Sequence, residues 1–210
     1  VDYHGSPISY EWVNSTPISK IWEQMTQAYE YGIRNVWILN VGDVKFNEYP
    51  LGYFMALAYD FDRWGSGQQE QIQTYTKNWL EAQFGFYVTQ EQLKRMTWVL
   101  EEYVRVIGLR RPECLNDRVY HPAHYGEGKQ MLDRALAVEA ENEKLYQELA
   151  ENPCRDAYFS MIYFPAAGTM NLLKMHLYAG MNHLFAGQGK AVANVYGEWM
   201  QECIRRDREL

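Results

Sequence analysis

The run Asn35-Val36-Trp37-Ile38-Leu39-Asn40-Val41, closed by Gly32 on one side and Gly42 on the other, constrains the fold more than any other stretch of this chain. A short, nearly continuous apolar run between glycines reads as a strand buried on both faces. Such a strand needs neighbours in a parallel sheet. A helix precedes it: Thr16 is a good N-cap with Pro17 at the first helical position, and Ile18, Ile21, Trp22, Met25, Ala28 and Tyr29 recur at helical spacing until Gly32. Residues 1–4 read as the tail of another strand. Strand tail, loop, helix and buried strand make a βαβ unit, and the other strands of its sheet are expected outside this sequence.

From Trp64 onward the periodicity is helical throughout. Ser66 can cap a helix reaching Phe84, and Thr89 can cap another whose stripe runs Leu93, Met96, Leu100, Tyr103 and Ile107 before Gly108 and Pro112 stop it. Between Gly126 and Asn152 the series Met131, Ala135, Val138, Asn142, Leu145, Leu149 approximates a heptad seam with Asn142 as its one polar member. Residues 156–185 are apolar on most faces and form the expected central helix, kinked or restarted at Pro165. A last helix from Lys190 to about Arg206 carries Val192, Tyr196, Trp199 and Cys203 on one face. Long helices with short connections predict an antiparallel bundle. The expected fold is therefore mainly α, with an incomplete βα part over residues 1–63 and a helical bundle over residues 64–210.

Composition removes several classes of function. The net charge of −7, with Lys and Arg scattered among Asp and Glu, offers no basic stripe for a phosphate backbone, so no nucleic-acid partner is expected. No run of roughly 18 apolar residues suggests a membrane span. The longest apolar stretch is interrupted by Pro165, Lys174, His176 and His183. The three cysteines, Cys114, Cys154 and Cys203, are too few and too far apart for a disulfide framework and are read as structural. No signal peptide is legible at the start of the sequence.

Ligands of parallel sheets bind beyond the carboxyl ends of the strands, in a barrel or in an open sheet. Two segments qualify. One is Asp2-Tyr3-His4-Gly5-Ser6-Pro7, with Tyr10, Glu11 and Trp12 following. The other is Asn40-Val41-Gly42-Asp43-Val44-Lys45-Phe46-Asn47-Glu48, where an amide, two carboxylates and an ammonium follow the buried strand and Gly42 lets the backbone turn. Asn40 at the strand end is read as facing a ligand. Glycoside hydrolysis needs two carboxyl groups flanking the scissile bond, and Asp43 and Glu48 are the available pair. Lys45 can meet an anionic substrate. Metal chemistry lacks a donor set, because no Glu-x-x-His repeat exists and Pro122 puts His121 and His124 in a turn. His176 and His183 are read as core histidines. No cofactor motif such as Gly-x-Gly-x-x-Gly or Walker A is present.

The run from Asp2-Tyr3-His4-Gly5-Ser6-Pro7 through Tyr10-Glu11-Trp12-Val13-Asn14, then Ile21-Trp22-Glu23-Gln24-Met25, Tyr29-Glu30-Tyr31-Gly32 and Trp37-Ile38-Leu39-Asn40-Val41-Gly42-Asp43-Val44-Lys45, resembles glycoside hydrolase family 115. Arg155-Asp156-Ala157-Tyr158-Phe159 and Ala186-Gly187-Gln188-Gly189-Lys190-Ala191 extend the resemblance to nearly the whole chain. It implies the final part of a catalytic (β/α)8 barrel followed by its helical domain, without the earlier strands. It also implies an inverting xylan α-1,2-glucuronidase that removes glucuronic acid or its 4-O-methyl form, secreted or periplasmic, with no cofactor. Tyr3, His4 and Asn40 are the positions it places nearest the sugar. Expected partners are glucuronoxylan or its oligosaccharides, the missing barrel strands, and a second copy in a homodimer. Two other readings fit the composition: a carbohydrate-binding module without turnover, and a structural or dimerisation bundle.

Overall fold

The computed structural model describes residues 2–3, 13–65 and 70–210. Helix α1, Ile18–Glu30, buries Ile18, Ile21 and Met25. It starts one residue later than Pro17 predicts and carries no side-chain cap. Thr16 is drawn away from that role, its hydroxyl reaching the Tyr3 carbonyl at 3.5 Å. Gly32, at φ +92°, ends the segment. A helix that the sequence reading did not anticipate follows: α2, Glu48–Tyr59, is succeeded at once by α3, Phe61–Trp64. Its apolar residues lie nearly all around the axis, so no stripe marks it, and Tyr49, Tyr53, Phe54 and Leu57 are buried.

α4, Gln71–Phe84, and α5, Gln90–Gly108, come next. The expected cap on α4, Ser66, lies outside the described residues. Thr89 caps α5 as expected: its hydroxyl accepts from the Gln92 backbone at 3.2 Å, and the Gln92 side chain accepts from the Thr89 backbone at 3.0 Å, a complete capping box. α6, Glu127–Glu148, buries its whole predicted seam through Leu145, and Leu149 is buried just beyond it. α7, Arg155–Tyr158, leads into a π-helical turn, Phe159–Tyr163, and then α8, Phe164–Gly187, and α9, Val192–Asp207.

Side-chain partners fix the directions of the helices. Arg95 of α5 meets Glu148 of α6 at 2.7 Å and also pairs with Glu141, while Glu102 meets Arg134 at 2.6 Å, so α5 and α6 run antiparallel. Lys174 pairs with Glu139 at 2.5 Å while Asn142 donates to the Tyr163 carbonyl, which sets α8 against α6 in the same sense. Asn171 to Cys203 and Asn182 to Ala193 do likewise for α8 and α9. The antiparallel bundle is thus present.

Pro165 explains the π turn. Proline has no N–H for the Met161 carbonyl four residues earlier and its ring crowds that carbonyl. The chain accommodates one extra residue, and the Phe164 N–H donates to Phe159 five positions back. Asn142 sits against this turn, 1% exposed. It donates to Tyr163 at 3.0 Å and accepts from the Tyr158 hydroxyl at 2.8 Å, so the polar member of the seam has both its partners.

One core cluster runs from Tyr3 and Val13 through Trp64 to Leu177. Packing is continuous across position 64, where the Trp64 ring meets Tyr75 edge-on at 5.4 Å and the Tyr53 hydroxyl donates to the Trp64 carbonyl at 3.2 Å. Helix accounts for 71% of the described residues, and no strand is formed among them. Over residues 35–41, where a strand was expected, the described residues form one parallel bridge, Asp2 to Asn40.

Candidate functional site

That bridge brings the two predicted ligand segments together. The Tyr3 N–H donates to the Asn40 carbonyl at 3.1 Å, and the Asn40 amide donates to the Asp2 carboxylate at 3.0 Å. Parallel pairing at this point is what a βαβ unit would make. Along the run, Trp37, Leu39 and Val41 pack against the core, whereas Val36 and Ile38 are 69% and 73% exposed. The two-residue alternation of an extended chain therefore holds, but both of its faces are apolar.

Asn40 is exposed at the end of the run. Its Nδ2 is engaged by Asp2, which leaves its amide oxygen to accept. Tyr3 is 4% exposed, and its hydroxyl donates to the Pro50 carbonyl at 2.9 Å. Burial, and then the neighbouring Tyr75 and Tyr53, push its phenol far above the usual value. The side chain thus pins the start of α2 beneath the bridge. His4 and Glu11 lie outside the described residues.

The loop after Asn40 is tied by Asn47, whose amide donates to the Asp43 carbonyl at 3.0 Å. Asp43 is exposed. Glu48 opens α2 half-buried, close enough to Tyr103 that its charge adds to burial, the larger cause, in raising that phenol. One carboxylate of the predicted pair faces water and the other borders the core. Lys45 is exposed, with Nζ 5.1 Å from the centroid of the Phe46 ring.

Phe46 is the residue that sequence reasoning missed. The chain bends at Gly42 as expected and turns again here, with Phe46 at φ +73°, a conformation that costs a non-glycine residue about 1–2 kcal/mol. The Phe46 ring lies on Phe164 of α8, 4.7 Å between centroids and tilted by 35°. No local pattern signals a left-handed phenylalanine, because the contact that holds it comes from far along the chain.

The described histidines lie away from the bridge at Asn40. His121 and His124 stack at 3.6 Å, and His121 Nδ1 accepts from the backbone of Ala123 and His124. His183 is not a core residue: its side chain is 67% exposed and meets Asp117 at 2.7 Å. The loop bearing Asp117 crosses α8 close to Gly180 but leaves His183 beside it in solvent. His176 is half-buried, and burial lowers its pKa. A cavity of about 340 Å³ between α1, α4 and α5 is lined by Tyr49, Thr76, Glu101 and Arg105 and touches none of the predicted site residues. Burial raises the pKa of its Glu101 carboxyl.

Residues 1–114 match the family model described as Glycosyl hydrolase family 115. No curated protein matches the chain. The matched span covers the bridge, the loop over residues 41–47, α2 and α5.

Proposed function

Since this chain belongs to glycosyl hydrolase family 115, we propose that it supplies the closing βα part of a catalytic (β/α)8 barrel and the helical domain behind it, in an enzyme that removes α-1,2-linked glucuronic acid or its 4-O-methyl form from xylan. The observation that carries this reading is the run over residues 35–41. Its inner residues rest on the core, while Val36 and Ile38 present a second apolar face to water. A barrel strand is apolar on both sides because helices cover one and the packed interior the other. Further strands of the same protein would cover the second face, and the bridge at Asn40 lies where the carboxyl end of such a strand would open onto a site.

In an inverting glycosidase one carboxylic acid protonates the leaving oxygen, and a carboxylate across the sugar activates water. Asp43, exposed after the run, would take one of these roles, and Glu48 at the head of α2 is the other candidate within the chain. Asn40 would accept from a sugar hydroxyl, with Tyr3 and His4 beside it. The Lys45 ammonium would meet the uronate carboxylate. Xylan is a polymer met outside the cell, consistent with secretion or a periplasmic location.

Replacing Asn40 by Ala in the full-length enzyme tests the site. The change removes an exposed polar group and opens no cavity, so melting should hardly move. The expected loss in kcat/KM on aldouronic acids is roughly ten- to a thousandfold, at about 1.4 kcal/mol per decade. Full activity in Asn40→Ala would remove the residue from the site. Activity lost only together with a large drop in Tm would make Asn40 a structural tie to Asp2.

A further inference from the structure

The helical part of the chain reaches the loop over residues 41–47 where the Phe164 ring meets the Phe46 ring. Phe164 is the first residue after the π-helical turn. One inserted residue rotates everything beyond it by about 100° around the helix axis. The turn that Pro165 forces thus sets the direction in which Phe164 points. On the other side of the contact, Phe46 holds a left-handed backbone that its own side chain disfavours, and Lys45 carries its ammonium over the face of that same ring. The Phe46 ring thus contacts both the Lys45 ammonium and the Phe164 ring of the bundle, with Asp43 two residues before Lys45.

We propose that Phe164 is a positioning residue for the uronate carboxylate: it seats Phe46, and through Phe46 it holds Lys45 where a negatively charged sugar is distinguished from a neutral one. This rests on the glucuronidase reading above. Phe164 touches no substrate in this scheme. A ring at this position braces the turn at Phe46, and the turn fixes an exposed lysine that would otherwise sample many rotamers. The selectivity for charge then depends on a residue of the bundle, more than a hundred positions after the loop it serves.

Two measurements test the proposal separately. In this chain, the Lys45 ε-methylene should resonate upfield because it lies over the Phe46 ring, and Phe164→Ala should return it to the shift of a free lysine while Phe164→Tyr preserves it. An unchanged Lys45 resonance in Phe164→Ala overturns the inference whatever the enzyme does. In the full-length enzyme, Phe164→Ala should raise KM for an aldouronic acid about tenfold, or about 1.4 kcal/mol, with kcat nearly constant. The uronate methyl ester should be affected far less, and Phe164→Tyr should behave as the unaltered enzyme. Equal losses on acid and ester, or a Phe164→Tyr as impaired as Phe164→Ala, would also overturn it. If the unaltered enzyme cleaves neither substrate, the glucuronidase reading falls, and the Lys45 resonance still decides the positioning.

Discussion

Asn142 offers the sharpest test of how the bundle is held together. Replacing it by Leu keeps the branched shape at a larger volume and deletes both of its hydrogen bonds, to the Tyr163 carbonyl and from the Tyr158 hydroxyl. Tyr158 is fully buried, so its hydroxyl would keep no acceptor there, at about 1–3 kcal/mol. The lost bond to Tyr163 adds about 1 kcal/mol, and the extra apolar atoms of Leu offset part of this. A net loss of about 3 kcal/mol is expected. For a domain of this size each kcal/mol moves Tm by roughly 2–4 °C, so Asn142→Leu should melt roughly 6–12 °C lower by circular dichroism. Tyr158→Phe removes the orphaned hydroxyl. It should lower Tm in the native background, where it breaks a satisfied pair, and raise it in the Asn142→Leu background. If Asn142→Leu melts at or above the native chain, or if Tyr158→Phe lowers Tm equally in both, the stabilisation does not come from this hydrogen-bonded triad.

Other expectations follow from single contacts. Thr89→Ala breaks the capping box of α5 and should cost about 1 kcal/mol, whereas Thr89→Gly should cost only a few tenths; equal melting of the two variants would contradict the cap. The hydrogen bond from His183, the first cause, lowers the pKa of Asp117 below its ordinary 3.8. A depressed acid contributes stability above its unfolded value and loses it as pH falls through its folded one. The Tm advantage of the native chain over Asp117→Asn should therefore be present above pH 3.8 and shrink as the pH falls further below it, and a gap that persists at low pH would refute the pairing. The chain alone should release no glucuronic acid from xylan, because a water, an acid and a sugar need the remaining barrel to hold them in register; release above a buffer control would contradict this.

Sequence alone revealed what local periodicity encodes. The α5 stripe from Leu93 to Ile107, its Thr89 cap and the seam of α6 are all where spacing put them, because each depends on residues a few positions apart. Pro165 announced a disturbance in the central helix, but only the neighbouring Asn142 makes clear that the disturbance is a π turn with a polar partner waiting for it. α2 was illegible because Tyr49, Leu51, Phe54, Met55 and Leu57 leave no polar face to give a period, and its burial depends on Tyr75 and Tyr3 from elsewhere. On α9 the predicted face is only partly covered: Cys203 is buried, but Val192 and Trp199 remain 41% and 47% exposed. For the candidate site, the meeting of Asp2, Tyr3 and Asn40 was foreseeable from the βαβ pattern, whereas the seat of Phe46 depends on the Phe164 ring, which no neighbour in sequence supplies.

The uncovered face at Val36 and Ile38 also bears on how the chain behaves in concentrated solution. Apolar side chains standing in water beside Ile33, itself 56% exposed, are a surface against which a second molecule can bury apolar side chains of its own. Within that window the charge belongs to Arg34, whose guanidinium is drawn 4.4 Å over the Tyr29 ring. Colloidal stability then falls to the acidic surface as a whole, with its formal charge of −7. That repulsion weakens as the pH approaches the isoelectric point and as salt screens it. Dilute, mildly alkaline, low-salt buffer is the condition in which copies of this molecule should stay apart.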